Sequence, residues 1–348
     1  MASSVRGLAP GRPEPAASPA PADGPVPPGP PGAAAGSAER PGVRLTNALL
    51  LLMALIWGVN FSVLKVGTRH FAPLAFNGLR MLLAGALLAA VALARRDRAP
   101  ARGDAVRLAL LGVLGHGLYQ VLFIEGIARS TASTAALVMA ATPAFIGVVG
   151  RLLGVERPSR AAWAGIALQL AGISGVVFGG ARQPPAPGAA GGLAGPALIL
   201  VAALAWACYA VLLKPFTARV DPMHLSAWTL LGGVATLVPL AVPDLLRLDA
   251  AAVPAAGWGA VGYSAVLAMV VAYLFYYRGV RVVGPVRTAM FSNLQPIVAL
   301  AVAAVTLGER PGPWQLAGAG AIAAGIVVSR RRPRAGAAAA TAAAPAVR

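Results

Sequence analysis

Two stretches decide the reading: Trp57-Gly58-Val59-Asn60-Phe61-Ser62-Val63-Leu64-Lys65 and, 149 residues later, Trp206-Ala207-Cys208-Tyr209-Ala210-Val211-Leu212-Leu213-Lys214. Each is an apolar run that opens on tryptophan and closes on lysine eight residues further on. Lys65 and Lys214 are the only lysines among 29 basic residues, so their shared place marks a duplication rather than a chance match. Further on the echo continues at an offset of 153: Gly126 with Gly279, Ala136 with Ala289, Pro143 with Pro296, Glu156-Arg157-Pro158 with Glu309-Arg310-Pro311, and Gly165 and Gly172 with Gly318 and Gly325. Self-similarity sustained at a nearly fixed offset is the mark of a repeated folding unit.

The repeats lie in apolar material. Of 348 residues, 58% are hydrophobic and 11% charged, against about 45–50% and about 25% in soluble domains. That composition excludes a soluble globular fold and equally a disordered chain. Charges punctuate the apolar runs at membrane-crossing intervals, about 20 residues for a hydrocarbon layer of about 30 Å. Arg44 and Lys65 bracket 20 uncharged residues, while Arg129–Arg151, Arg160–Arg182 and Arg287–Glu309 bracket 21 each, and Arg310–Arg330 brackets 19. Phe71–Ala94, Leu108–Ile127, Leu193–Leu213, His224–Val242 and Gly257–Tyr277 complete ten spans. The runs lack the polar–apolar alternation of barrel strands, so helices are expected.

Five spans per repeat is an odd number, so a direct sequence repeat enters the membrane from opposite sides. The expected fold is therefore an all-α membrane protein, with ten transmembrane helices as two inverted five-helix repeats. Residues 45–181 form the first repeat, 182–195 a Pro/Gly-rich linker and 196–330 the second. The Pro/Ala-rich segment 1–44, with 11 of the 30 prolines, is expected to be a disordered tail, and 331–348 a basic, Ala-rich one. Placing both termini in the cytoplasm puts 22 of the basic residues on that side and 6 on the other, with Arg80 inside a span. That bias favours a multi-pass protein of the plasma (cytoplasmic) membrane with both termini inside. It also accounts for the net charge of +18 without nucleic acid as a partner.

The pattern resembles the EamA type of the drug/metabolite transporter superfamily, which carries two tandem five-helix units. The matching residues are Trp57-Gly58-Val59-Asn60-Phe61 with Lys65, then Arg80, Thr142-Pro143, Leu307-Gly308-Glu309-Arg310, and the Ala/Gly-rich fifth and tenth spans. The second repeat departs where Ala207 and Tyr209 replace Gly58 and Asn60. The resemblance implies a secondary carrier, often an exporter, of amino acids or other small metabolites. The alternatives are a broad-specificity drug or organic-ion efflux carrier and a non-transporting membrane sensor or scaffold. An enzyme is not expected, because no nucleophile–base pair falls at matched depth. With one cysteine, scattered histidines and no phosphate loop, neither a metal nor another cofactor is expected, and ATP is not the direct energy source.

Candidate residues follow from polar groups inside apolar spans, which face protein or water rather than lipid. Trp57 and Asn60 share a helix face, as do Trp206 and Tyr209, too deep for an interfacial belt. Lys65 and Lys214 either snorkel to headgroups or form a symmetric pair of gate or substrate contacts. Arg80, deep in span two, either pairs with backbone carbonyls or Glu125, or serves function. His116, Tyr119 and Gln120 form one polar stripe in span three, and Tyr273 and Tyr276 another in span eight. His116 and Glu125 are the groups that could carry a coupling proton, although Glu125 also sits four residues before Arg129 as a surface pair. Pro143 and Pro296 are expected to kink their helices, freeing the carbonyls of Met139 and Ser292, with Asn293 and Gln295 beside the second kink as ligands. Glu156 and Glu309 read as helix-end anchors. The implied partners are a small-molecule substrate, the lipid bilayer, and a coupling proton or counter-substrate, with oligomeric state open.

Overall fold

A computed structural model of the chain describes residues 41–95, 100–155, 158–180, 192–217, 219–283, 288 and 291–329. The tails before residue 41 and after 329, most of the expected linker, and the Glu156-Arg157 turn lie outside the described residues. All regular structure among the described residues is helical. In chain order the helices are α1 (Pro41–His70), α2 (Pro73–Arg95), α3 (Arg102–Ala128), α4 (Ala132–Leu152), α5 (Arg160–Gly180), α6 (Ala194–Thr217), α7 (Pro222–Leu246), α8 (residues 255–282), α9 (Gln295–Leu307) and α10 (Pro313–Ser329). Helix α1 starts at Pro41, so the expected tail is a few residues too long. Proline opens it as it opens α2, α7 and α10, because a first-turn residue has no intrahelical use for its N–H.

Eight helices, α1 to α8, are long and apolar enough to cross a membrane. Helices α9 and α10 have 13 and 17 residues, about 20 and 25 Å of rise. The expectation of ten full spans is thus met by eight among the described residues. The shortfall at α9 has a local cause: the expected span is broken by a turn at Asn293-Leu294, and α9 starts afresh with Pro296 in its first turn. Its counterpart α4 breaks in the same way at Ala140-Ala141, with Pro143 in the first turn of the following segment. Both prolines therefore begin a new helical segment instead of kinking a continuous one. The carbonyl that Pro143 leaves without a donor, Met139 O, accepts from the Thr142 hydroxyl at 2.6 Å.

Large apolar side chains cover the outside of the helices. Leu246 and Val305 are 82% and 87% exposed, and Leu51, Leu52, Leu55, Leu110 and Leu231 are also well exposed. Apolar surface on that scale belongs against lipid. The chain is a multi-pass helical membrane protein.

Glycine sets the closest helix contacts. Helices α5 and α10, one from each half, touch backbone to backbone: a Cβ on Gly165 would lie 2.4 Å from the Gly325 carbonyl oxygen, and one on Gly318 would lie 2.6 Å from that of Gly172. The sequence leaves open whether these glycines join the halves or a second copy; here they are consumed within one chain. Gly318→Ala should lower the melting temperature in detergent, since overpacking costs about 1–3 kcal/mol. Gly320→Ala, two residues on and facing away with nothing within 4 Å, should leave it unchanged or raised by helix propensity. Equal melting temperatures for the two would refute the packing account.

Candidate functional site

Arg80 lies in the third turn of α2 and is 2% exposed. An unpaired guanidinium there would be costly in an apolar bundle. The structure surrounds it with neutral acceptors. Nε donates to Asn77 Oδ1 at 2.7 Å, one turn back on the same face. One terminal nitrogen donates to Ser264 Oγ on α8 at 3.1 Å, and the other to Gln120 Oε1 on α3. A second layer holds the acceptors: Asn77 Nδ2 donates to the Gln120 carbonyl at 3.1 Å, and Ser264 Oγ donates to Asn60 Oδ1 on α1 at 2.9 Å. Among the described residues no carboxylate pairs with Arg80, and the expected alternative partner, Glu125, is not there. The Tyr119 and Tyr273 hydroxyls lie within electrostatic reach of the guanidinium.

Around this cage runs a belt of rings. Trp57 meets Tyr273 edge-on at 5.3 Å between centroids and Tyr276 at 5.9 Å. His116 packs against Tyr209, Trp206 and Tyr273 at 5.6, 6.1 and 6.4 Å. Tyr119 touches Trp206 at 5.0 Å and stacks on Phe123 at 5.3 Å. The two sequence pairs, Trp57 with Asn60 and Trp206 with Tyr209, thus arrive in one cluster, together with both tyrosine stripes. His116 is 3% exposed, and its Nδ1 is buried without a hydrogen-bond partner among the described residues. A buried nitrogen left so is a place for a water or a ligand polar atom.

Two widened turns shape this cluster. Residues Val113–Leu118 of α3 and Tyr263–Val271 of α8 are π-helical. At the repeat offset of 153 the first maps onto residues 266–271, inside the second. Such turns insert a residue into the helical repeat and recur at functional sites. In α3 the turn carries His116 between Gly115, which lies against the Tyr209 ring, and Gly117, which lies against Thr236. In α8 the turn offers the Ala268 carbonyl to the Trp57 indole Nε1 at 2.8 Å, and Tyr263 donates to the Ile56 carbonyl at 3.1 Å.

The sequence profile of the EamA-like transporter family matches this chain twice, over residues 44–178 and 193–331. The chain belongs to the EamA-like transporter family. It is 30% identical to the uncharacterized inner membrane transporter YedA of Escherichia coli, over 80% of this chain and 87% of that one. It is 31% identical to the probable amino-acid metabolite efflux pump of Salmonella typhimurium, over 82% and 95%. It is 28% identical to the probable terminal-alkyne amino-acid exporter of Streptantibioticus cattleyicolor, over 83% and 95%. A crystal structure 21% identical to it aligns with a TM-score of 0.57 over 82% of this chain and 96% of that one, which shows the shared fold. Family membership supports a role other than catalysis.

Not every candidate joins the cluster of this EamA-like chain. Glu125 pairs with Arg129 one turn on, as a partly exposed surface pair. That pair borders an open, mostly apolar groove of about 610 Å3 between α3 and α6, lined in part by Val121, Leu122, Leu198 and Val201, apart from the ring belt. Lys65 is 1% exposed, whereas Lys214 is exposed, so the two lysines occupy unlike environments and only Lys214 keeps the snorkelling reading. Lys65 Nζ donates to the carbonyls of Ile127 and Ala128, at 3.2 and 3.0 Å, at the end of α3. Asn293 and Gln295 are half-buried at the break before α9, where Gln295 and Val298 press on Gly58 so closely that a Cβ there would lie 2.5 Å from Val298 Cβ. That contact explains glycine at 58. Glu309 does not anchor its own helix: its carboxylate accepts from the N–H groups of Ala132 and Ser133 on α4.

The sequence reading misses Asn77 and Ser264. Asn77 was legible in principle, three residues from Arg80 on one face, whereas nothing marks Ser264 among the small residues of α8. Ser264→Ala removes one acceptor from Arg80 and one donor from Asn60, and should destabilise the EamA-like fold by about 1–3 kcal/mol. The check is thermal melting in detergent beside Ser174→Ala, whose exposed hydroxyl bonds only its own helix. Equal melting would mean that the cage does not depend on Ser264.

Proposed function

We propose that this chain is a secondary active transporter of the cytoplasmic membrane that exports amino acids or similar small metabolites by alternating access. Its two repeats, 45–181 and 196–330, would be five-helix units of opposite orientation, with both termini cytoplasmic. The double family match, the paired breaks at Pro143 and Pro296 and the paired π-helical turns support that reading. Two similar halves of opposite orientation can exchange inward and outward forms about a shared site.

One observation carries the substrate end of the reading: Arg80 is buried and caged by amides and a hydroxyl, with no acid beside it among the described residues. Neutral acceptors hold the guanidinium in place and leave its charge uncompensated, so a carboxylate substrate supplies the missing charge. The rings of Trp57, Tyr119, Trp206, Tyr209, Tyr273 and Tyr276 offer apolar faces to a side chain, and His116 Nδ1 offers a polar contact. Lys65, Lys214, Glu125, Asn293 and Gln295 stand outside this binding role. Absence of an acid among the cage residues disfavours the broad organic-cation reading.

Gln120→Glu tests it directly, because it replaces one neutral acceptor of Arg80 by a carboxylate and so neutralises the charge the substrate would meet. Growth medium from cells overproducing the native chain should accumulate a carboxylate metabolite. The variant, matched for membrane level and melting temperature, should export it at least about tenfold less. Undiminished export by Gln120→Glu would refute the role of Arg80, and export confined to organic cations would refute the substrate class.

A further inference from the structure

The turn between α3 and α4 is held by residues from distant parts of the chain. Lys65 from α1 donates to the last two carbonyls of α3, where the helix dipole is negative. The Glu309 carboxylate accepts from the first two N–H groups of α4, at 2.8 and 2.9 Å, where the dipole is positive. Gly308, in the left-handed region at φ 66°, ends α9 and turns the chain to bring Glu309 there. Gln315 of α10 adds a bond to Thr134 Oγ1 at 2.8 Å and is itself fixed by the Gly312 N–H at 2.9 Å. Lys65 and Glu309 are both at least 95% buried and within electrostatic reach of each other.

Two features mark this turn as something other than a permanent joint. The hydroxyls of Ser130 and Ser133 are buried there without partners among the described residues, a cost that a turn with a second arrangement can relieve. Moreover, Lys214, the repeat counterpart of Lys65, is exposed. Two halves of matching sequence therefore hold their lysines in opposite states.

We propose that Lys65 and Glu309 form a latch between the halves on the α3–α4 turn, closed in this structure, whose release opens that end of the transport path. The latch rests on the alternating-access reading above, and it places Lys65 and Glu309 as positioning residues rather than substrate ligands. In the topology proposed above, the latched end lies opposite the termini.

The chain's two lysines provide the readout. Full-length protein in detergent micelles, where both membrane faces are accessible, is treated with a water-soluble N-hydroxysuccinimide ester, and modification of each lysine is followed by peptide mass spectrometry. Native protein should modify Lys214 much faster than Lys65. Glu309→Gln, which weakens one pair of charge-assisted bonds, should raise the Lys65 rate about tenfold and leave Lys214 unchanged. Continued protection of Lys65 in a folded Glu309→Gln protein would overturn the latch. Should that variant not fold, Thr134→Cys and Gln315→Cys are combined in a Cys208→Ala background and bridged with a short bis(methanethiosulfonate) reagent, which forms a disulfide with each cysteine as methanesulfinate leaves and is cleaved by added dithiothreitol. Bridging should stop export of the accumulated metabolite and cleavage should restore it. Export by the bridged protein at the unbridged rate overturns the latch and leaves the transport reading standing. Failure of the native chain to export any metabolite overturns the transport reading, while the lysine rates still decide the latch.

Discussion

A guanidinium that cannot reach water constrains much of this fold. Arg80 sits in α2 among apolar side chains, and its desolvation is offset only if its N–H groups find acceptors. Those acceptors come from α2, α3 and α8, and the α8 hydroxyl is tied in turn to α1 through Asn60. Four helices from both halves are thereby fixed around one cation. Their choice of amides and a hydroxyl is consequential. A carboxylate would have neutralised the site and made it a structural ion pair, whereas neutral dipoles stabilise the cation without removing its charge. The same bonds that hold the helices together thus leave the positive charge without a carboxylate partner among the described residues.

The ring belt follows from that arrangement. Aromatic side chains contribute large apolar faces with polar edges, and here they come from α1, α3, α6 and α8 to pack against one another around His116. Glycines make room for them: Gly115 lies flat against Tyr209, and Gly112 lets α3 approach the Thr229 backbone on α7. Thr229 itself, at the position equivalent to Arg80, keeps its hydroxyl bonded to its own helix at Leu225. The absence of a second arginine is therefore built into the packing, and the two halves are similar without being equivalent.

Helical class, membrane character and duplication were legible because they are periodic properties of long segments. So were the shared faces of Trp57 with Asn60, of Trp206 with Tyr209 and of His116 with Tyr119 and Gln120, since helical spacing alone sets them, whereas their meeting in one cluster depends on contacts between helices. Glu125 with Arg129 was legible because spacing alone makes that pair. The breaks at Pro143 and Pro296 were located to within a few residues but given the wrong form: proline excludes its own N–H from the ladder, and whether the helix bends or restarts depends on the neighbours that take up the freed carbonyl, such as Thr142. Ser264 and the real partner of Glu309 were not legible, because each contact spans well over a hundred residues and neither side chain differs from a routine small or loop residue.

Lys65 shows best how a duplicated sequence yields an asymmetric molecule. Lys65 and Lys214 share their register in α1 and α6, yet only Lys65 reaches the carbonyl end of a neighbouring helix and is sealed there. A buried ammonium is tolerable where helix-end carbonyls and a nearby carboxylate replace water, and Glu309 supplies that carboxylate while capping the next helix. Cation and anion thus each neutralise one of two facing helix ends, so the α3–α4 turn is held at both ends by charge as well as by the apolar packing of Ile127, Ala132 and Ala135. Charge contacts of this kind are short-ranged and directional, and they are replaced by water once separated by a few ångströms. The α5–α10 contact is of another kind, a close backbone-to-backbone approach that the missing Cβ atoms of its glycines allow. The α3–α4 turn is therefore fixed by contacts that a small displacement would break, whereas the α5–α10 pair is fixed by the close backbone packing of Gly165, Gly172, Gly318 and Gly325.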